Sequence, residues 1–123
     1  MRKATGLGRI YYATKFSLQG IQTCWQSEPA FRFELFLLCF FAPASFIVAR
    51  SPLQWAVLML PIMGVLAMEM VNTAIERVVD HISLENHPLL GQAKDLGSAA
   101  VFMFMMATLL VWGAVIAHNW PIV

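Results

Sequence analysis

The chain has 123 residues and a formal net charge of +1, with 59% hydrophobic and only 12% charged residues. An ordinary soluble domain carries about 25% charged residues. A single core of this size cannot hide so much apolar surface, so a soluble globular domain is excluded and a bilayer is the expected solvent. No nucleic-acid partner is expected.

Residues 5 to 27 form the first predicted element. At helical spacing, Ile10, Ala13, Thr14, Ser17, Ile21, Cys24 and Trp25 share one face, and Lys15, Gln19, Gln22 and Gln26 share the other. That pattern predicts an amphipathic helix lying at a membrane surface. A bare anchor on anionic lipid would show the same pattern. The basic N-terminus lacks the apolar stretch of a signal peptide, so targeting is expected to fall to the first span. Pro29 suits a first helical turn. It puts Glu28 at the corner between surface helix and membrane helix, where the helix dipole favours a carboxylate.

Three transmembrane helices are predicted, near 30–49, 52–82 and 91–118. Each draws on an uncharged run, and a span needs roughly 20 mostly apolar residues. Cys24 and Cys39 lack metal-ligand or CxxC spacing and are expected as free thiols. Of eight basic residues, only Arg50 falls between the first two spans. Arg2, Lys3, Arg9, Lys15 and Arg32 precede the first, and Arg77 and Lys94 flank the connection between the second and third. This asymmetry predicts a cytoplasmic N-terminus and second connection, with the Arg50-Ser51-Pro52 turn and the C-terminus on the opposite side.

The second span carries the unusual chemistry, in VLAMEMVNTAIERVVD. Glu69, Asn72, Thr73, Glu76 and Asp80 share an arc of about 100° on the helix. This is either the solvated end of a membrane helix or a site for a hard cation or a proton transfer. In the third helix, Lys94, Asp95 and Ser98 sit at the same level, and Ala93 and Gly97 have the spacing of close helix packing. A Lys–Asp interfacial cap would account for the charges alone. Together Glu28, Glu69, Glu76, Asp95, Lys94 and Arg9 suit a magnesium-bound polyphosphate, because Mg²⁺ prefers a few carboxylates, water and phosphate oxygens. No Walker motif and no kinase Gly-rich loop is present. His81, His118 and the methionines read as capping and packing residues.

Three blocks resemble the small integral-membrane diacylglycerol kinases of bacteria. They are Trp25-x-x-Glu28-x-Ala30-Phe31-Arg32-x-Glu34, Glu69-x-x-Asn72-x-Ala74-Ile75-Glu76-x-Val78-Val79-Asp80, and Ala93-Lys94-Asp95-x-Gly97-Ser98-Ala99-Ala100. The resemblance covers nearly the whole chain. It implies an all-α membrane protein with a surface helix and three spans, working as a homotrimer whose sites use neighbouring chains. It implies transfer of the γ-phosphoryl of MgATP to the hydroxyl of diacylglycerol at the cytoplasmic face of the bacterial inner membrane.

The resemblance also implies residue roles. Glu69 is the general base and Asn72 supports it. Glu28 and Glu76 are the magnesium ligands. Arg9, Phe16, Glu85, Asn86, His87, Lys94 and Asp95 lie on the nucleotide side. Arg9, Ala13, Ser17, Trp25, Ala30, Phe31, Arg32, Glu34, Ser98 and Trp112 lie near the lipid. Phe16 stands where the family carries Tyr, and Asn86 where it carries an aromatic, so those nucleotide contacts differ. An undecaprenol kinase of the same family is the alternative that the same residues serve. Outside the class stand a small multidrug transporter and a non-catalytic membrane subunit.

Overall fold

The structure, a computed structural model, describes residues 5–121. Arg2 and Lys3, which enter the basic asymmetry, lie outside the described residues. Four helices follow in order: α1 (Gly6–Ser27), α2 (Pro29–Val48), α3 (Pro52–Ile82) and α4 (Pro88–Asn119). The last three are each long and apolar enough to cross a membrane. Prolines stand at the start of each of them, where a missing N–H costs nothing and the fixed φ already suits the helix. This explains the one sizeable boundary difference. α4 begins at Pro88, three residues before the expected start, because proline initiates the helix upstream of Gly91.

α3 and α4 form the main packed pair, and α2 lies mostly along α3. The core cluster is Leu58, Ile62 and Trp112, with Leu38, Val48, Met59 and Val111 around it. Trp112 packs edge-on against Phe41, ring centroids 5.2 Å apart, and its indole Nε1 donates to Leu58 O over 3.1 Å. Pro61 removes one backbone donor from that turn of α3 and loosens it, next to the carbonyl that the indole reaches. Gly64 lets the Phe104 ring lie directly on the α3 backbone.

A polar knot closes the end remote from the carboxylates. Asn119 Nδ2 donates to Val48 O (2.7 Å) and to Gln54 Oε1 (2.8 Å), and Gln54 Nε2 returns a bond to Asn119 Oδ1 (3.1 Å). Ser51 caps α3 by accepting from Gln54 N. Arg50 lies over the Trp120 ring at 4.4 Å. The last residue of α4 thus satisfies a carbonyl at the end of α2, one of the acceptors that a helix terminus leaves open.

Much apolar surface stays uncovered in a single chain. Phe33, Phe36, Phe40, Phe46, Leu60, Phe102, Leu109 and Leu110 are all exposed. α1 buries only Cys24 among its residues.

Candidate active site

α3 carries its polar ladder without a break, since after Gly64 the run to Ile82 holds no glycine or proline. Thr73 turns its hydroxyl back to donate to Glu69 O (2.9 Å). Asn72 Nδ2 donates to Glu76 Oε1 (3.3 Å), one turn along. The Asn72 amide therefore serves Glu76, whereas the expected support was of Glu69. Its Oδ1 is buried and accepts no hydrogen bond among the described residues.

At the apolar end of the ladder, the Glu34 carboxyl of α2 neighbours that of Glu69. Glu34 Oε2 is buried with no hydrogen-bond partner among the described residues. Glu34 also heads a groove of about 240 Å³ between α2, α3 and α4, whose other walls are Leu37, Leu38, Phe41, Ile62, Val65, Met105, Thr108 and Leu109. A carboxyl pair thus stands where an apolar groove ends.

At the polar end, Lys94 Nζ pairs with Asp80 Oδ1 at 2.6 Å. This contact ties α4 to α3, and the local Lys94–Asp95 neighbourhood suggested by sequence is not the ion pair that forms. Both members line a cleft of about 350 Å³ with Ser83, Glu85, Asn86, His87 and Gly91. Glu85, Asn86 and His87, expected on the nucleotide side, are therefore brought together with Lys94.

The α1–α2 corner sits beside the same stretch of α3. Cys24 is 3% exposed and its Sγ lies 3.9 Å from Thr73 Oγ1. Burial pushes the Cys24 thiol up, with the Thr73 contact acting the other way. Arg77 Nη2 donates to Ser27 Oγ (2.7 Å). Arg32 Nη1 donates to the carbonyls of Trp25 (2.9 Å) and Gln26 (3.2 Å), closing the end of α1. Glu28 is half-buried and follows Ser27 in sequence, and the Glu28 and Glu69 carboxylates both act on the Cys24 thiol. Arg32, expected near lipid, is committed to the corner within one chain.

The remaining expected residues divide by exposure. Arg9, Ala13, Phe16, Ser17, Trp25, Ala30, Asp95 and Ser98 are exposed, and Phe31 and Trp112 are buried. Trp112 is a core residue in this chain, far along α4 from Lys94. Among the described residues, no three His, Cys, Asp or Glu side chains converge closely enough to hold a metal. Sequence reasoning missed the Arg77–Ser27 bond and the Gln54–Asn119 knot. Both join residues about fifty or more positions apart, and nothing local signals either of them.

Comparison with known proteins places these residues in company. Residues 15–116 match the family model described as prokaryotic diacylglycerol kinase. A diacylglycerol kinase of Haemophilus influenzae is 40% identical over 116 residues, covering 94% of this chain and 98% of the relative. One of Pseudomonas aeruginosa is 38% identical over 112 residues, 91% of each chain. One of Escherichia coli K12 is 35% identical over 108 residues, 88% of each.

Proposed function

This chain belongs to the prokaryotic diacylglycerol kinase family, and on that premise we propose how its polar ladder performs the transfer. The enzyme moves the γ-phosphoryl of ATP to the hydroxyl of diacylglycerol and forms phosphatidic acid. The observation that carries the residue assignment is the continuity of the ladder. It runs from the Glu34–Glu69 pair near the apolar groove to the Asp80–Lys94 cleft. Glu69 and Glu76 are two turns apart, about 10.5 Å along the helix axis. One helix therefore reaches both a lipid alcohol at the groove and a phosphate chain at the cleft.

Glu69 accepts the proton of the lipid hydroxyl as the hydroxyl oxygen bonds to the γ-phosphorus and the bond to the ADP oxygen breaks. Glu34 lies beside it and confines the alcohol to the head of the groove. Lys94 contributes positive charge to the polyphosphate, and Glu85, Asn86 and His87 line the cleft on the nucleoside side. Arg9, Phe16 and Asp95 complete the nucleotide contacts from exposed positions. Phe31 and Trp112 support the lipid side from the interior, and Ala13, Ser17, Trp25, Ala30 and Ser98 flank it.

Glu28 and Glu76 would hold Mg²⁺. Two carboxylates with phosphate oxygens and water make the hard-oxygen set that this ion prefers. Two carboxylates leave the remaining positions of such an ion to phosphate oxygens and water, as in an ion bound jointly with nucleotide. The ion, when bound, neutralises charge on the phosphates.

The active assembly is a homotrimer with sites shared between chains. The exposed apolar faces of α2 and α4, and the near-complete exposure of α1, leave surface for neighbouring chains and lipid to cover. α1 lies along the cytoplasmic surface of the bacterial inner membrane. The basic asymmetry then puts the ladder on the cytoplasmic side and the Asn119 knot opposite.

The test is a lipid-kinase assay in mixed micelles with MgATP, run in parallel on diacylglycerol and undecaprenol. Native enzyme should form phosphatidic acid, and Glu69→Gln should lose roughly 10²–10⁴-fold in turnover. Unchanged turnover in Glu69→Gln sinks the assignment of the base. Preferential phosphorylation of the polyprenol overturns the choice of lipid.

A further inference from the structure

Gly97 occupies an unusual place on α4. A Cβ at residue 97 would overlap Asn72 Oδ1 and stand 3.2 Å from Asn72 Cγ and 3.3 Å from Ile75 Cδ1. The amide of Asn72 is therefore pressed against the bare backbone of the neighbouring helix. Its orientation has a chemical cause. Nδ2 meets Glu76 Oε1 at 3.3 Å, where an oxygen would repel the carboxylate. Oδ1 is left buried against Gly97 without a hydrogen bond among the described residues. An acceptor held in that way is unfavourable in itself, so packing alone gives no reason to place an amide there.

Four other helical glycines behave differently. Gly20, Gly91 and Gly113 face open space, and Gly64 takes the Phe104 ring, an apolar contact on the same α3–α4 seam. Of these five glycines, Gly97 is the one that admits a polar side chain of the ladder.

We propose that Gly97 is a positioning residue for the kinase reaction: its missing side chain seats Asn72 so that the amide orients the Glu76 carboxylate. This rests on the reading of Glu76 as a magnesium ligand. Any larger residue at 97 must displace Asn72 Cγ or rotate the amide. Either movement withdraws Nδ2 from Glu76, and the carboxylate then samples orientations that do not meet the ion. Outer partners that orient a metal ligand typically matter by about 10- to 100-fold in metal affinity or activity.

The experiment uses the full chain in mixed micelles. It reads turnover, the half-saturating Mg²⁺ concentration and the thermal unfolding midpoint for Gly97→Ala, Asn72→Ser, the double variant, Gly64→Ala and Glu76→Gln. Gly97→Ala should raise the half-saturating Mg²⁺ by about 10- to 100-fold and lower the unfolding midpoint. In the Asn72→Ser background, where the side chain is too short to meet a Cβ at 97, adding Gly97→Ala should move neither quantity further. Gly64→Ala should lower the midpoint and leave the Mg²⁺ requirement where it was.

Equal effects of Gly97→Ala in both backgrounds would overturn the proposal, because the glycine would then serve helix packing alone. A shifted Mg²⁺ requirement in Gly64→Ala would overturn it too, since any disturbance of the seam would then suffice. If Gly97→Ala does not fold, the double variant decides: a folded double variant supports the proposal, and an unfolded one refutes it. An unchanged Mg²⁺ requirement in Glu76→Gln removes Glu76 from the metal. The comparison of unfolding midpoints still scores the Gly97–Asn72 coupling in that case.

Discussion

Asn119→Ala tests whether the remote polar knot is a stability device independent of catalysis. Asn119 is 6% exposed and makes three side-chain hydrogen bonds, two to Gln54 and one to Val48 O. Hydrogen bonds between membrane helices average about 0.6 kcal/mol each, with a maximum near 1.7. Alanine also leaves the part-buried Val48 carbonyl and Gln54 amide short of partners, at the low end of the about 1–3 kcal/mol that an orphaned buried polar group costs. The expected loss is roughly 2–4 kcal/mol, with α4 fraying from α2 first. Lys94 lies about 37 Å back along α4 at 1.5 Å per residue, so turnover at temperatures where the variant stays folded should match the native enzyme. Thermal inactivation in detergent micelles, followed beside initial rates at low temperature, reads both quantities. An unchanged inactivation temperature would refute the energetic argument. A fall in turnover while the fold remains intact would refute the separation of the two ends.

Further outcomes follow from the site and the corner. Lys94→Met removes the 2.6 Å pair with Asp80, whose members are both more than a third exposed. Exposed pairs contribute little to stability, so the unfolding midpoint should hold while the KM for MgATP rises several-fold in a rate assay with saturating lipid. Cys24, buried against Thr73, has its thiol pushed above the ordinary range by burial. Its neutral form is favoured in the folded state, so this contribution to stability is fully present below the unfolded thiol's pKa of roughly 8.5 and is lost as pH rises beyond it. Unfolding midpoints measured from pH 7 to 10 should fall more steeply for native protein than for Cys24→Ala, and parallel curves would contradict the burial argument.

Local chemistry determined much of this protein. Composition required a bilayer, and runs of apolar residues set three long helices. Pro29, Pro52 and Pro88 each mark a helix start, because a proline's missing N–H is harmless only there. The spacing of Glu69, Asn72, Thr73, Glu76 and Asp80 placed them on one face, since helical periodicity follows from the backbone alone. The family blocks were equally legible, being short runs of adjacent residues.

Tertiary structure decided which partner each polar group takes. Lys94 has Asp95 beside it in sequence, yet pairs with Asp80 across the α3–α4 seam. Asn72 was expected to serve Glu69 and instead donates to Glu76, with Gly97 from another helix setting its seat. Arg32 turns to the α1 carbonyls, and Trp112 enters the core. The seat of Asn72, the knot of Asn119 with Gln54 and Val48, and the Arg77–Ser27 bond depend on the separation and rotation of packed helices. That geometry is set by how side chains fill the seam between helices, and periodicity within any one helix does not encode it.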